Sequence, residues 1–375
     1  MITKDHSNAT EARVRAMEKA MTSSRCIRAR RRSNILALFV LVPALSGCTV
    51  LGGGEDEQGA DTVVLLTHDS FSLPAELLEQ FREDSGIRID HRAQGDAGEL
   101  VTSLVLTQDN PLGDVVFGVD NTFASRAVDA GVFADYEPSI SVPDDLRYPN
   151  SRALTPIDYG DVCLNIDTRY FAERGIAEPK TLDDLLSAEY ENMTVVQNPA
   201  TSSPGLAFLL ATIEEYGEDG WQDYWTSLRD NGVSVADGWT QAYYVDFSGS
   251  EGAGPRPIVV SYASSPPAEA GPDGAAPTTS ALAETCFRQV EYAGVLEGAS
   301  NPDGAEQVIE FLLSADVQSA FPENMYVFPA VEGTPLPEAF DLYAPKPDAP
   351  ITMDPAKIGA NRDAWITQWR DIVLG

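Results

Sequence analysis

Thr62 to Ala93 reads TVVLLTHDSFSLPAELLEQFREDSGIRIDHRA. A short apolar run, TVVLLT, ends in a polar loop, THDSF. PAELLEQFREDSG follows with helical spacing: Leu77, Leu78 and Phe81 fall on one face and Gly86 supplies a stop. IRIDHRA is a second strand. The alternation continues with a helix in DAGELVTSLVLTQ, a buried strand in GDVVFGV and a helix in NTFASRAVDAGVF, where Asn121 is a natural N-cap. Strand, helix, strand, helix implies a parallel sheet with helices on its faces.

A looser segment around Pro156 marks where the chain leaves this first unit. A second alternating set begins at Asp161: strand DVCLNI, helix TLDDLLSAEY, strand MTVVQ, the loop NPATSSPG feeding a helix, then helix WQDYWTSLRDNG and strands VSVAD and PRPIVVSYA. CFRQVEYAGVL reads as a strand leading back across. PDGAEQVIEFLLSADVQSAF reads as one amphipathic helix, and DPAKIGANRDAWITQWRDIVL as the last. The expected fold class is α/β, with two lobes, each a mostly parallel sheet flanked by helices, and a ligand cleft between them. Lobe I is expected over 61–157 plus about 288–320, and lobe II over 158–287 plus about 321–375.

The chain has 375 residues, 43% of them hydrophobic, enough for such a pair of lobes. Its start reads as a targeting segment. RARRRSN (28–34) is a basic region, ILALFVLVPAL (35–45) is an apolar run too short to span a bilayer, and LSGC ends at Cys48. That order resembles a lipoprotein signal, 1–47, with Cys48 as the lipidation site. Residues 48–60 are Gly-rich and acidic, a flexible tether. The expected location is extracytoplasmic, lipid-anchored to the outer face of the cell membrane or periplasmic. Residues 1–47 hold nine bases and three acids, leaving 55 acids against 16 bases and a net charge of −39. Such a body repels nucleic acid and draws in cations. Beyond the leader and the lipid site, Cys163 and Cys286 remain as a disulfide candidate in an oxidising compartment.

Loops after strands, where ligands sit in such sheets, carry the candidate site. They are THDSF, GVDN (118–121), NPATSSPG (198–205), DGWTQAYY (237–244) and SYASSP (261–266). Aromatic rings offer π faces to a planar or cationic ligand. Carboxylates take a positive charge or an exocyclic amine. Hydroxyls at a helix start suit a phosphate. Each group has a plainer use as a helix cap or as core packing. A hydrolase reading of His68, Asp69 and Ser70 is weak, because neighbours at a strand end point in alternating directions. There is no G-x-S-x-G elbow, phosphate-binding glycine loop or Cys/His metal spacing. No catalytic residue, metal or cofactor is expected.

The stretches DSF (69–71), DVVFGVDN (114–121), PIDYG (156–160), NPATSSPGL (198–206), DGWTQAY (237–243), VVSYASSP (259–266) and RDAWITQW (362–369) together resemble the periplasmic thiamine-binding proteins of bacterial ABC importers. These lie within the type II solute-binding protein superfamily, and the resemblance runs from about Val63 to Val373. It implies a monomer of the type II periplasmic-binding-protein fold that closes over thiamine or its phosphate esters and hands them to a membrane permease. It implies that His68, Asp69, Ser70, Asp120, Trp239, Tyr243 and Tyr262 line the vitamin, that Thr201, Ser202 and Ser203 meet the hydroxyl or phosphate end, and that Tyr326 stands near the cleft. Trp239 and Tyr262 are the expected ring contacts and Asp120 the partner of the charge or amine. His68 stands where enteric relatives have tyrosine. A ferric-ion binder of the same superfamily, using Tyr243 and Tyr244, is the alternative; an extracellular hydrolase is the more distant one.

Overall fold

The computed structural model describes residues 61–271 and 275–375; the expected leader, Cys48 and the tether over 48–60 lie outside them. Among the described residues, nine strands form one sheet: β1 (Asp61–Thr67), β2 (Ile87–Ala93), β3 (Val115–Asp120), β4 (Thr155–Asp167), β5 (Thr194–Gln197), β6 (Ser234–Ala236), β7 (Ile258–Tyr262), β8 (Thr279–Val295) and β9 (Phe328–Pro329). Their order is β2-β1-β3-β8-β4-β7-β5-β6, with β9 alongside β4. β1 runs parallel to β2 and β3, and β5 parallel to β6 and β7. Between these parallel groups lie the two longest strands, β8 and β4, antiparallel to each other and to their outer neighbours.

β4 and β8 carry the chain from one parallel group to the other. One end of β8 pairs with β3 (Val115↔Val295), and the far end of β4 pairs with β7 (Ile166↔Ile258). The lobe boundaries expected at 157/158 and near 288 therefore fall inside continuous strands. β4 also absorbs the segment around Pro156 that reads as loose in the sequence. Proline cannot donate to a ladder and is tolerated at irregularities; here the β4–β8 register shifts between Pro156 and Asp158.

Other departures have local causes. TLDDLLSAEY forms two short 3-10 turns, Asp183–Leu186 and Ala188–Tyr190, in place of an α-helix. The Asp184 carboxylate accepts from the backbone N–H of Lys180 (2.7 Å) and Thr181 (3.0 Å), and Ser187 turns extended; both compete with helical pairing. The expected single helix over 302–321 is two, Pro302–Leu312 and Ala315–Met325, because Ser314 sits in the extended region between them. Asn121 does not cap the third helix. Its side-chain amide donates to the Arg288 carbonyl (3.0 Å) and accepts from the Val290 N–H (3.1 Å), so it prolongs the β3–β8 ladder.

The helix Ser203–Tyr216 is buried on every side from Ser203 to Ile213, as its nearly unbroken apolar sequence requires. It packs on β4, β5, β7 and β8, and Ser203 at its start accepts the Gln289 amide of β8. The last helix, Pro355–Val373, packs on Trp221–Asp230 and on Ala124–Asp129. Trp369 meets Trp225 edge-on at 5.5 Å, and the Arg362 guanidinium lies 5.8 Å from the Phe123 ring.

One glycine is forced by the site. Gly118 has φ +97° at the β3 irregularity, and a Cβ there would run into the His68 ring. Gly118→Ala combines left-handed strain with overlap against a buried ring and is expected to cost roughly 2–4 kcal/mol. Urea unfolding would check it; a loss below about 0.5 kcal/mol would contradict the close approach.

Candidate functional site

Directly opposed residues of antiparallel strands present side chains on one face. Asp120 on β3 opposes Glu291 on β8, and Glu291 opposes Asp158 on β4. Three acids thus form one rung across the middle of the sheet, all buried. Two residues earlier on β8, Gln289 opposes Gly160. The Tyr262 ring lies over Gly160, where an added Cβ would sit 2.7 Å from Tyr262 Cδ1. Gln289 ties the rung to its surroundings. Its amide donates to Glu291 Oε1 (3.4 Å) and Ser203 Oγ (3.3 Å), and its Oε1 accepts from the Tyr262 hydroxyl (3.4 Å).

His68 joins the same floor. Its Nε2 lies 3.5 Å from Glu291 Oε1, and its Nδ1 accepts the Ser70 backbone N–H at 3.2 Å. That arrangement suits the tautomer protonated on Nε2, facing Glu291. Burial pulls the imidazole's affinity for a proton down, but the Glu291 charge and hydrogen bond, with Asp96 and Asp69, raise its pKa overall. Burial lifts Asp120 to about 7, against the hydroxyl of Thr122 and with the help of Glu291. Asp120 accepts from Thr122 Oγ1 (2.8 and 3.0 Å) and from the Phe123 N–H (3.3 Å). It is fully buried, so the expected charge partner is occupied with its own turn.

An aromatic cluster stands beside the rung. Trp239 is its hub. It stacks on Tyr243 (5.0 Å, 13°), meets Tyr244 edge-on (5.4 Å, 81°) and lies 6.3 Å from Tyr262 and 6.4 Å from Tyr326. Its indole N–H donates to Ser261 Oγ at 2.9 Å. Tyr326 ends the helix Ala315–Met325 in the left-handed region, φ 57°. A tyrosine holds that conformation only at a cost. The Ser264 hydroxyl donates to the Tyr326 carbonyl (2.5 Å), and the Tyr244 and Tyr326 hydroxyls meet at 3.3 Å. The Tyr243 hydroxyl donates to Glu269 Oε1 at 3.0 Å.

Contacts between the two parallel groups close the space above. Asp96 caps the helix Ala97–Leu106 and also accepts the Trp239 backbone N–H at 2.9 Å. Burial raises its pKa, against the two backbone N–H groups it accepts. Gly98 N–H donates to the Thr201 carbonyl (2.8 Å), and the Ser70 and Thr240 hydroxyls meet at 3.2 Å. Thr201 Oγ1 donates to the Asp237 carbonyl (2.6 Å). Ser202 and Ser203 are buried at the start of their helix, and the Ser202 hydroxyl has no hydrogen-bond partner there. Asp69 is exposed at the rim and accepts from Ser70 Oγ at 3.3 Å.

The structure therefore brings the expected residues to one region, with Asp69 outermost and Asp120 innermost. Sequence reasoning missed Asp96, Asp158, Gln289 and Glu291. The signal for the last two is two polar residues at period two inside an apolar strand, QVEYAGV. The His68 ring takes the Ser70 backbone N–H, while the Ser70 hydroxyl meets Asp69 and Thr240, which is not the geometry of a nucleophile and its base. Among the described residues no group of three or more His, Cys, Asp or Glu is arranged to hold a metal ion.

Residues 110–358 match the family model described as bacterial extracellular solute-binding protein. The chain is 29% identical over 331 residues to the thiamine-binding periplasmic protein of Brucella suis biovar 1, covering 85% of this chain and 94% of the relative. It is 29% identical over 321 residues to that of Escherichia coli strain K12, with 83% and 93% covered. A solved periplasmic thiamin binding protein superposes with a TM-score of 0.73 at 27% identity, over 83% of this chain and 96% of the other. Iron-bound HitA from Pseudomonas aeruginosa superposes with a TM-score of 0.64 at 19% identity, over 83% of this chain and 99% of the other, and shares the fold.

Proposed function

Because the chain belongs to the bacterial extracellular solute-binding protein family, we propose that it captures thiamine or a thiamine phosphate outside the cytoplasm and releases it unaltered to an ABC-importer permease. The observation that carries the reading is the Trp239-centred ring cluster standing beside a buried acidic rung. Thiamine has a permanently charged thiazolium and a flat aminopyrimidine. Rings take the planes and the cation, and carboxylates take the charge and the amine. The buried start of the helix Ser203–Tyr216, with the unpartnered Ser202 hydroxyl, suits the hydroxyl or phosphate end. The relatives named for thiamine support the same ligand. On this reading the protein works as a monomer of two lobes hinged in β4 and β8, tethered through a lipid on Cys48.

Titration with thiamine, its monophosphate and its diphosphate tests it. Tryptophan fluorescence is expected to quench as Trp239 is covered. Trp239→Ala is expected to weaken binding by roughly 1–3 kcal/mol, the scale of a lost stacking and cation–π partner, with a smaller loss in Trp239→Phe. No heat and no fluorescence change with any of the three would end the reading. The iron-binding rival draws on Tyr243 and Tyr244; a visible tyrosinate band on adding Fe(III) would favour it.

A further inference from the structure

Asp158 is fully buried, and among the described residues no donor reaches either of its carboxylate oxygens. It opposes Glu291 in register, within reach of a side-chain hydrogen bond. On its other side β9 presents Pro329, which carries no donor in the ladder or side chain. An ionised Asp158 would be an unpaired charge buried against a second one, which a protein interior does not tolerate. Burial and Glu291 accordingly push its pKa well up. Asp158 is therefore held as the neutral acid, its O–H donating to Glu291. Glu291 then receives two donors, Asp158 and the Gln289 amide, with the His68 ring edge 3.5 Å away. The rung thus holds, beside Glu291, one proton in reserve on Asp158.

We infer that Glu291 is the counter-charge for the cation in the cleft, and that Asp158 gives its proton to bulk water when the cation arrives. This rests on the thiamine reading and deepens it. The exchange balances: one positive charge enters, one proton leaves, and no bond to the ligand forms. A cation nearby stabilises the ionised form of Asp158, whose in-register neighbour on β8 is otherwise the Glu291 carboxylate. The ligand's N–H donors give the bare Asp158 oxygens partners they otherwise lack. The other titratable groups facing the pair are His68 and Asp69 from the loop after β1, Asp96 from its helix start, Asp120 from β3 and Tyr262 from β7. Of these, Asp120, at about 7, and His68, raised above its usual value, are the rival sources of a proton near neutral pH.

Calorimetric titration of the full-length protein and its variants with thiamine chloride, in buffers of different ionisation enthalpy at pH 6 to 8, separates the sources. The expected result is release of up to about one proton per thiamine, with affinity rising as pH rises. Asp158→Asn is expected to abolish the release, Asp120→Asn to retain it, and Glu291→Gln to weaken binding roughly 30-fold or more. Buffer-independent heat in the wild-type protein would overturn the proposal whether or not any variant folds. So would a release kept in Asp158→Asn, whether Asp120 or His68 supplies it. Failure of the wild-type protein to bind thiamine in any buffer would sink the thiamine reading and this exchange together; binding without proton release would sink the exchange alone.

Discussion

The unliganded protein is expected to gain stability as pH falls from about 7 toward 4, by on the order of 4 kcal/mol from Asp120 alone. Burial lifts that carboxyl to about 7, with Glu291 adding to the shift, whereas in the unfolded chain it titrates near 3.9. A group whose pKa is raised by folding contributes stability that is complete below its unfolded value and lost as pH climbs through its folded value. Asp158 and Asp96 are raised by burial as well, and His68 is raised overall despite its burial, so all four act in the same direction. Carboxyls held low, such as Asp184 beside the Lys180 and Thr181 N–H groups, reverse the trend only below about 4. Surface repulsion from the net negative charge adds to the same trend, but salt screens it and leaves the buried rung untouched. Melting temperatures at high salt between pH 4.5 and 8 should therefore still rise toward acid. Asp120→Asn should melt above wild type at pH 8 and match it near pH 5. A wild-type protein that melts lower at pH 5 than at pH 7.5 would refute the buried-acid account.

That destabilised rung also explains which parts of the molecule the sequence discloses. Strands and helices are local: TVVLLT and PAELLEQFREDSG declare their periods within a dozen residues, and both form where expected. The aromatic half of the site was legible for the same reason, since Trp239 and Tyr243 lie in one short helical stretch, 239–246, that follows β6. The acidic half was not. Asp120, Asp158 and Glu291 are unremarkable one at a time, and Asp158 sits beside a proline in a segment that looks irregular. Only the pairing of β3, β8 and β4 places them in one rung, and register between strands more than a hundred residues apart is a tertiary fact. Asn121 misled for the opposite reason. Its local fitness as a helix cap was real, but the backbone of β8 offered its amide two better partners.

Removing the disulfide should carry the other large effect. Cys163 on β4 and Cys286 on β8 are bonded, with Cα atoms 4.2 Å apart and 123 positions between them in sequence. They fall where the β4–β8 register shifts between Val162 and Leu164, so the covalent bond crosses the ladder where its regular pairing is interrupted. A loop of that length restricts the unfolded chain by about 4–5 kcal/mol in the chain-entropy account. Both sulfurs are buried beside Ala263 and Ala281, so replacement by alanine removes packing as well as the cross-link. The double variant Cys163→Ala/Cys286→Ala is expected to lose about 3–5 kcal/mol, read from the denaturant midpoint at unchanged slope. Because β4 and β8 are the strands through which the two parallel groups are joined, the loss should fall on the whole sheet as one cooperative transition. The cleft residues themselves remain on the same strands, so thiamine affinity should survive at temperatures where the variant is folded. An unchanged midpoint would mean that the hydrogen-bonded ladder alone holds the crossing strands. A separate early transition would mean that the two parallel groups unfold independently, and that β4 and β8 couple them less tightly than their continuous pairing implies.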